Sequence, residues 1–242
     1  MTINTLFKSK VIGVGAHLPD KIVTNDDLSK TINTNDKWIT ERTGIKERRI
    51  ASDNDTTSSL GIEAAKRAID NAKIDKDDID LIIVATATPD NTFPATATSI
   101  QSGLGIKKGY AYDVHAVCSG FVFALELADN SICLGKSKNA LVIGSETFSR
   151  ILDWNDRSTC VLFGDGAGAV VLQSTSQESQ SLILSNHLHS DGDFKDMLYV
   201  DGGPSTSDNV GFLRMDGGGV FKHAVKKISS TIFEALEFNK LS

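Results

Sequence analysis

Apolar and polar positions along the 242-residue chain fall into alternating strand-like and helix-like blocks. The run KVIGVGAHLP (10–19) reads as a strand ending at a turn. Thr34 to Arg42, closed by Gly44, predicts a short helix capped by Thr34 or Asn35. Over 56–74, Leu60, Ala64, Ala65, Ala68, Ile69 and Ala72 recur on one face, which predicts an amphipathic helix. DLIIVATAT (80–88), GYAYDVH (109–115), ALVIGSE (140–146) and GAGAVVLQ (166–173) predict near-continuous apolar strands, with a helix over 119–134. Such alternation predicts an α/β fold with a mostly parallel sheet covered on both faces. After Gln173 the chain turns polar (STSQESQS). A strand over 181–192, a loop-rich stretch and a helix over 217–238 then restart the opening pattern. The domain division follows: 1–173 as a first half, 174–242 as an incomplete second one.

Composition narrows the classes. At 40% hydrophobic the chain has enough apolar material for a sizeable core. A formal charge of −6 without a long Lys/Arg run argues against nucleic-acid and membrane-surface binding. No window approaches a membrane span, and the N-terminus lacks the apolar core of a signal peptide. Three cysteines without C-x-x-C or Cys/His ligand spacing argue against a disulfide framework or a zinc site. A reducing cytoplasm is the expected compartment.

Cys118 is the first candidate for chemistry. In DVHAVCSGFVFAL (113–125) it stands where a strand turns into a helix, with Gly120 clearing space beside the sulfur. The following helix is apolar on nearly every side, so burial all round is expected. A helix N-terminus directs unpaired N–H groups and positive dipole toward the sulfur, which favours thiolate. The N–H of Cys118 is also placed to bind a developing oxyanion. The opposing reading is a small buried hydrophobe. Cys133 and Cys160 have no such position and read as structural.

Trp38 and Arg42, at i and i+4, share one helix face and form a plausible clamp for a purine and its phosphates; an ordinary packing Trp with a solvated Arg is the alternative. FGDGAGAVVL (163–172) resembles a phosphate loop but leads into a strand, so a tight turn between strands is the better reading. DKDDID (75–80) lacks the glycine and final glutamate of a calcium loop. His187 and His189 face the same way on the expected 181–192 strand, as a base, a ligand or simply satisfied surface groups. Lys222, Lys226 and Lys227 form a solvated helix face that would also suit an acidic partner. Phe93 precedes a proline in a loop.

Taken in order, DKWITERTGIKERRI, IIVATATPDNTFPATATSIQSGLGI, YDVHAVCSGFVFAL, LVIGSE, DRSTCVLFGDGAGAVVL, HLHSDG and MDGGGVFKHAV resemble β-ketoacyl-acyl carrier protein synthase III, the initiating condensing enzyme of bacterial fatty acid synthesis. The resemblance implies a thiolase-like fold, with a complete N-terminal half and a partial C-terminal half, and a homodimer. It implies that Cys118 takes an acyl group, typically acetyl, from acyl-coenzyme A. Malonyl-acyl carrier protein then decarboxylates and attacks the acyl-cysteine. Coenzyme A enters as a thioester substrate, with no separate cofactor and no metal. Thr34, Trp38, Arg42 and Arg157 match coenzyme A contacts. Phe221 matches the wall of the pantetheine tunnel, Phe93 a residue reaching into the partner's acyl pocket, and Lys222 part of the carrier-protein face.

The departures from the family pattern also matter. The HQAN-like and GNTSAAS-like motifs, whose His and Asn stabilise the enolate, are absent from these 242 residues, and Gly218 stands where asparagine is common. The resemblance therefore implies a C-terminally truncated form with impaired condensation. Apolar surface on the 219–238 helix and the central helices should be exposed. Two alternatives remain open. One is a thiolase-fold acyltransferase that does not decarboxylate; the other is a catalytically inactive binding or dimer subunit.

Overall fold

The computed structural model describes residues 7–176 and 182–241. In chain order the elements are β1 (Lys8–His17), β2 (Lys21–Thr24), α1 (Asn25–Ser29), α2 (Asp36–Thr43), β3 (Glu47–Ile50), α3 (Thr57–Ala72), β4 (Leu81–Ala85), α4 (Thr96–Leu104), β5 (Tyr110–Val114), α5 (Gly120–Cys133), β6 (Asn139–Thr147), β7 (Asp165–Thr175), β8 (Leu198–Val200), β9 (Leu213–Met215) and α6 (Gly217–Phe238). Contacts divide the chain into two units. One comprises Met1–Asp20, Ala51–Thr147 and Asp165–Leu184; the other comprises Lys21–Ile50, Phe148–Gly164 and Ser185–Ser242.

The first unit is built on a five-stranded sheet ordered β1-β7-β6-β4-β5. The sheet is mixed rather than mostly parallel. β4 runs parallel to β5 and β6, whereas β7 lies antiparallel to both β6 and β1. Two-sided burial gives a strand the same apolar run in either direction, so the pattern carries no sign of orientation. The β6–β7 connection also contains no crossover helix, and an antiparallel return needs none.

Helix α3 covers one face of this sheet. Thr56 caps it, its side chain accepting from the Ser59 N–H, and Leu60, Ala64, Ala65, Ala68 and Ile69 are buried. The seat is tight because β1 offers glycine there: a Cβ on Gly15 would lie 2.3 Å from the Ala64 carbonyl oxygen. Helix α5 packs on the other face, where Ala124, Ala128 and Ile132 join Leu81, Ile83, Val142 and Leu172 in a second core cluster. The expected burial all round is not observed, since Val122 and Leu127 on α5 are exposed. The Ala124–Ala128–Ile132 stripe is buried against the sheet, with Phe121 and Leu125 partly buried beside it. Val14 of β1 is exposed too, beside a shallow apolar trough lined by Phe121, Gly144, Gly168 and Val170. Gly166 and Gly168 lie within strand β7, as the 166–173 strand predicts, and the turn lies just before it, at 157–162.

In the second unit β2 and β3 form an antiparallel pair, as do β8 and β9. Asn35 caps α2 by accepting from the Trp38 N–H, and Gly44 ends it at φ 72°, a left-handed conformation that glycine adopts without strain. Helix α6 forms as the periodicity predicts, yet none of its residues is buried, and Phe221, Val225, Ile228, Ile232 and Phe233 are exposed.

The expected 181–192 strand does not form. Leu182 makes an isolated bridge with Lys10, and no further strand follows before the 3₁₀ turn at Gly192–Met197. From Ser185 onward, side chains of this segment bond to α6 and to its C-cap Asn239. Of the polar STSQESQS stretch, Ser174 and Thr175 complete β7, and 177–181 lie outside the described residues.

Candidate active site

In the first unit the sequence around Cys118 builds a strained strand-to-helix junction. β5 ends at Val114, Val117–Ser119 form one 3₁₀ turn, and α5 begins at Gly120. Val117 takes φ 46°. That region is unfavourable for a β-branched residue and persists only where the surroundings impose it. Cys118 directly follows, and its side chain is exposed rather than packed into the core. The junction is more closed than a bare helix start, because the Ser119 N–H bonds the Ala116 carbonyl and the Gly120 N–H bonds the Val117 carbonyl. Ser119, at the N-cap, makes no side-chain hydrogen bond to the first turn of α5. Gly120 is needed for space: a Cβ there would lie 3.2 Å from the Ala85 Cβ at the end of β4.

The other cysteines are placed differently. Cys160 is buried, and burial pushes its thiol up. Cys133 is pushed up to about 11, by burial and then by nearby Asp129. Neither is poised for thiolate chemistry.

The loop from β4 to α4 carries Phe93 at its tip, 83% exposed. Its flanks are held by carboxylates. Glu146 of β6 accepts from the Ala87 N–H at 2.8 Å and from the hydroxyls of Thr86 and Thr88. Burial pushes the Glu146 carboxyl up, outweighing these hydrogen bonds. Asp113 of β5 accepts from the N–H groups of Thr96 and Ala97 at the start of α4, each at 2.7 Å. Sequence reading missed Glu146. The available signals were an acidic residue closing the apolar strand ALVIGSE and a threonine-rich loop able to donate to it.

In the second unit the clamp residues do converge. The Arg42 guanidinium lies 4.6 Å from the Trp38 ring centroid, and that of Arg157 lies 4.9 Å from it. Each guanidinium is also tied to backbone, Arg42 to the Trp38 carbonyl and Arg157 to the Asn33 carbonyl at 2.8 Å. Two cations on one indole make an electropositive aromatic platform suited to a purine with phosphates. Asp156 shapes the turn bearing Arg157, accepting from the Ser158 N–H and the Thr159 hydroxyl. Thr34 sits just before α2; its hydroxyl oxygen is buried without a hydrogen-bond partner among the described residues.

Phe221 and Lys222 are exposed on the first turns of α6. His187 and His189 do meet, but on Glu234 of α6, at 3.1 and 2.7 Å, and both lower its pKa. They are satisfied histidines. Among the described residues no cluster of three or more His, Cys, Asp or Glu is placed to hold a metal ion, and no helix is long and apolar enough to cross a membrane.

Fold and sequence together mark the class of thiolase-like condensing acyltransferases. The sequence signature described as 3-oxoacyl-[acyl-carrier-protein (ACP)] synthase III matches residues 112–192, which include Cys118. The β-ketoacyl-[acyl-carrier-protein] synthase III of Rhodospirillum centenum is 58% identical over 237 residues, covering 97% of this chain and 73% of that protein. Crystal structures of the corresponding synthases from Aquifex aeolicus and Pseudomonas aeruginosa superpose with TM-scores of 0.90 and 0.91 at 45% and 36% identity. They cover 97% of this chain and 73% and 72% of theirs. The chain belongs to the β-ketoacyl-[acyl-carrier-protein] synthase III family, acyltransferases of the initiating condensation in fatty acid synthesis.

Proposed function

We propose that Cys118 is the nucleophile that takes an acyl group, typically acetyl, from acyl-coenzyme A. The observation that carries this is the exposed thiol at the strained Val117–Gly120 junction, in the signature-matched segment. The thiolate attacks the thioester carbonyl, the carbonyl oxygen becomes an oxyanion, and its collapse expels coenzyme A thiolate and leaves an acyl-cysteine. Trp38 stacks on the adenine, while Arg42 and Arg157 meet phosphate charge. Thr34 and Phe221 contribute further contacts, and Phe93 lines an acyl pocket in a homodimer. Coenzyme A enters as substrate, and no other cofactor takes part.

Malonyl-acyl carrier protein, received on a face that includes Lys222, supplies the carbon nucleophile after losing carbon dioxide. The working compartment is the cytoplasm.

Intact-mass analysis after incubation with acetyl-coenzyme A tests the reading. Cys118 should gain one acetyl group. Trp38→Ala should raise the coenzyme A thioester concentration needed by about tenfold, as loss of one stacking platform does. An unmodified Cys118, beside another family member that is acetylated, refutes it. Labelled malonyl-acyl carrier protein then separates condensation from simple acyl transfer, through release of carbon dioxide.

A further inference from the structure

The segment 86–97 is braced at both ends, while Phe93 between them stands free. Glu146 binds three consecutive residues: the Thr86 hydroxyl at 3.3 Å, the Ala87 N–H at 2.8 Å and the Thr88 hydroxyl. Thr88 is fixed from two more directions. Its hydroxyl oxygen accepts from the Thr147 N–H at 2.9 Å, and its carbonyl accepts from the Thr57 hydroxyl. Further along, the Asp90 carboxylate accepts from the Ser58 N–H at 2.9 Å. Asp113 then holds the Thr96 and Ala97 N–H groups. The Thr86 N–H also bonds the Val114 carbonyl, so the end of β4 is tied to the strand that leads to Cys118.

A partly buried carboxylate is costly unless it is hydrogen-bonded, and the bonds that satisfy Glu146 come from this turn. The groups it organises are the first residues of the loop that presents an 83% exposed aromatic ring. A side chain of this sort sets geometry without touching substrate.

We propose that Glu146 is a positioning residue that fixes the 86–88 turn, and through it the Phe93 ring, and so sets the acyl-chain preference of Cys118. This rests on the reading that Cys118 accepts the acyl group and that Phe93 lines the acyl pocket. Glu146→Gln keeps size and one acceptor but puts an amide donor against groups that themselves donate.

The test is a ratio, because misfolding lowers both rates together whereas a moved Phe93 changes one relative to the other. Acylation of Cys118 in the intact chain is timed by mass with acetyl- and with hexanoyl-coenzyme A. Phe93→Ala should shift the ratio toward hexanoyl. Glu146→Gln should shift it the same way by about threefold to tenfold, since sub-ångström displacement of a positioning group costs rates of that order. The double variant should add nothing further. Thr88→Val should reproduce the shift and Thr88→Ser should restore the original ratio, which covers the case of a Glu146→Gln protein that does not fold. An unchanged ratio in Glu146→Gln and Thr88→Val, with Phe93→Ala shifted, overturns the positioning role and leaves the acyl-pocket reading intact. No shift in Phe93→Ala, or no acylation at all, overturns both.

Discussion

Helices α3 and α5 lie on opposite faces of one sheet, and they are used differently. α3 meets the sheet through a continuous small-and-apolar face, with Leu60 1% exposed and Ala64, Ala65 and Ala68 fully buried. Two glycines of β1 let its backbone approach. α5 meets the sheet through a narrower stripe and leaves Val122 and Leu127 in the open, beside exposed Val14. The thiol belongs to the α5 side. One face is built for cohesion; the other carries the junction where the proposed chemistry would sit.

The largest effect that separates the faces is on activity. Cys118→Ala should abolish acyl uptake from acetyl-coenzyme A, a loss of at least about 10³-fold, because the proposed mechanism forms its covalent intermediate on that sulfur. Thermal unfolding should barely change, since the side chain is exposed. A variant that still gains the acyl group would move the chemistry elsewhere and erase the functional half of the contrast.

Next comes a matched deletion on the two helices. Leu60→Ala should cost about 2–5 kcal/mol, the usual price of a fully buried leucine. Leu127→Ala removes the same atoms from a side chain 41% exposed and should stay within about 0.5 kcal/mol. Urea unfolding of both variants measures the difference. Equal losses would show that the α5 side is covered in solution, and that the contrast is not a property of the folded protein there.

Much of this contrast was legible in the sequence. The spacing of Leu60, Ala64, Ala68 and Ile69 gave α3 and its buried face. Cys118 was placed at a helix start by the change from DVHAV to an apolar helical run. The helix start is in fact a 3₁₀ turn with a strained Val117, because residue type does not reveal a φ that only tertiary packing imposes. The antiparallel course of β7 was hidden for the reason given by two-sided burial. LILS looked like a strand, but a strand needs a ladder partner, and among the described residues only Lys10 supplies one pairing. Trp38 and Arg42 were visible at i and i+4, whereas Arg157 joins them from 119 positions beyond Trp38 and was suggested only by family resemblance. Glu146 left only a weak signal, because its partners lie about sixty residues earlier, in a stretch that reads as the continuation of β4.

Val117 gives a finer comparison within the α5 side. Its φ of 46° stores strain of about 1–3 kcal/mol. Val117→Gly relieves it but adds about 0.5–1 kcal/mol of unfolded-state entropy to be lost. The expected net is a gain near 1 kcal/mol in urea unfolding, with acylation of Cys118 slowed about tenfold because the junction no longer holds one geometry. A variant that is both less stable and equally fast would mean that the turn is not strained in the folded chain.

The smallest effect concerns pH and again separates a functional group from the cohesive face. Burial raises the Glu146 carboxyl pKa above the usual 4.5, so the folded state holds its proton at pH values where the unfolded chain has released it. The sign follows from that order. Its contribution to stability is full below the unfolded value and is lost as pH rises through the raised folded one. Wild-type stability, followed by urea unfolding from pH 4 upward, should therefore decline over that window through this group. Glu146→Gln removes the titration and should show a shallower decline, while Leu60→Ala shifts the curve downward without changing its slope. Parallel curves for Glu146→Gln and wild type would show that the carboxylate is well solvated, which would weaken the case that it braces the Phe93 loop as a charged acceptor.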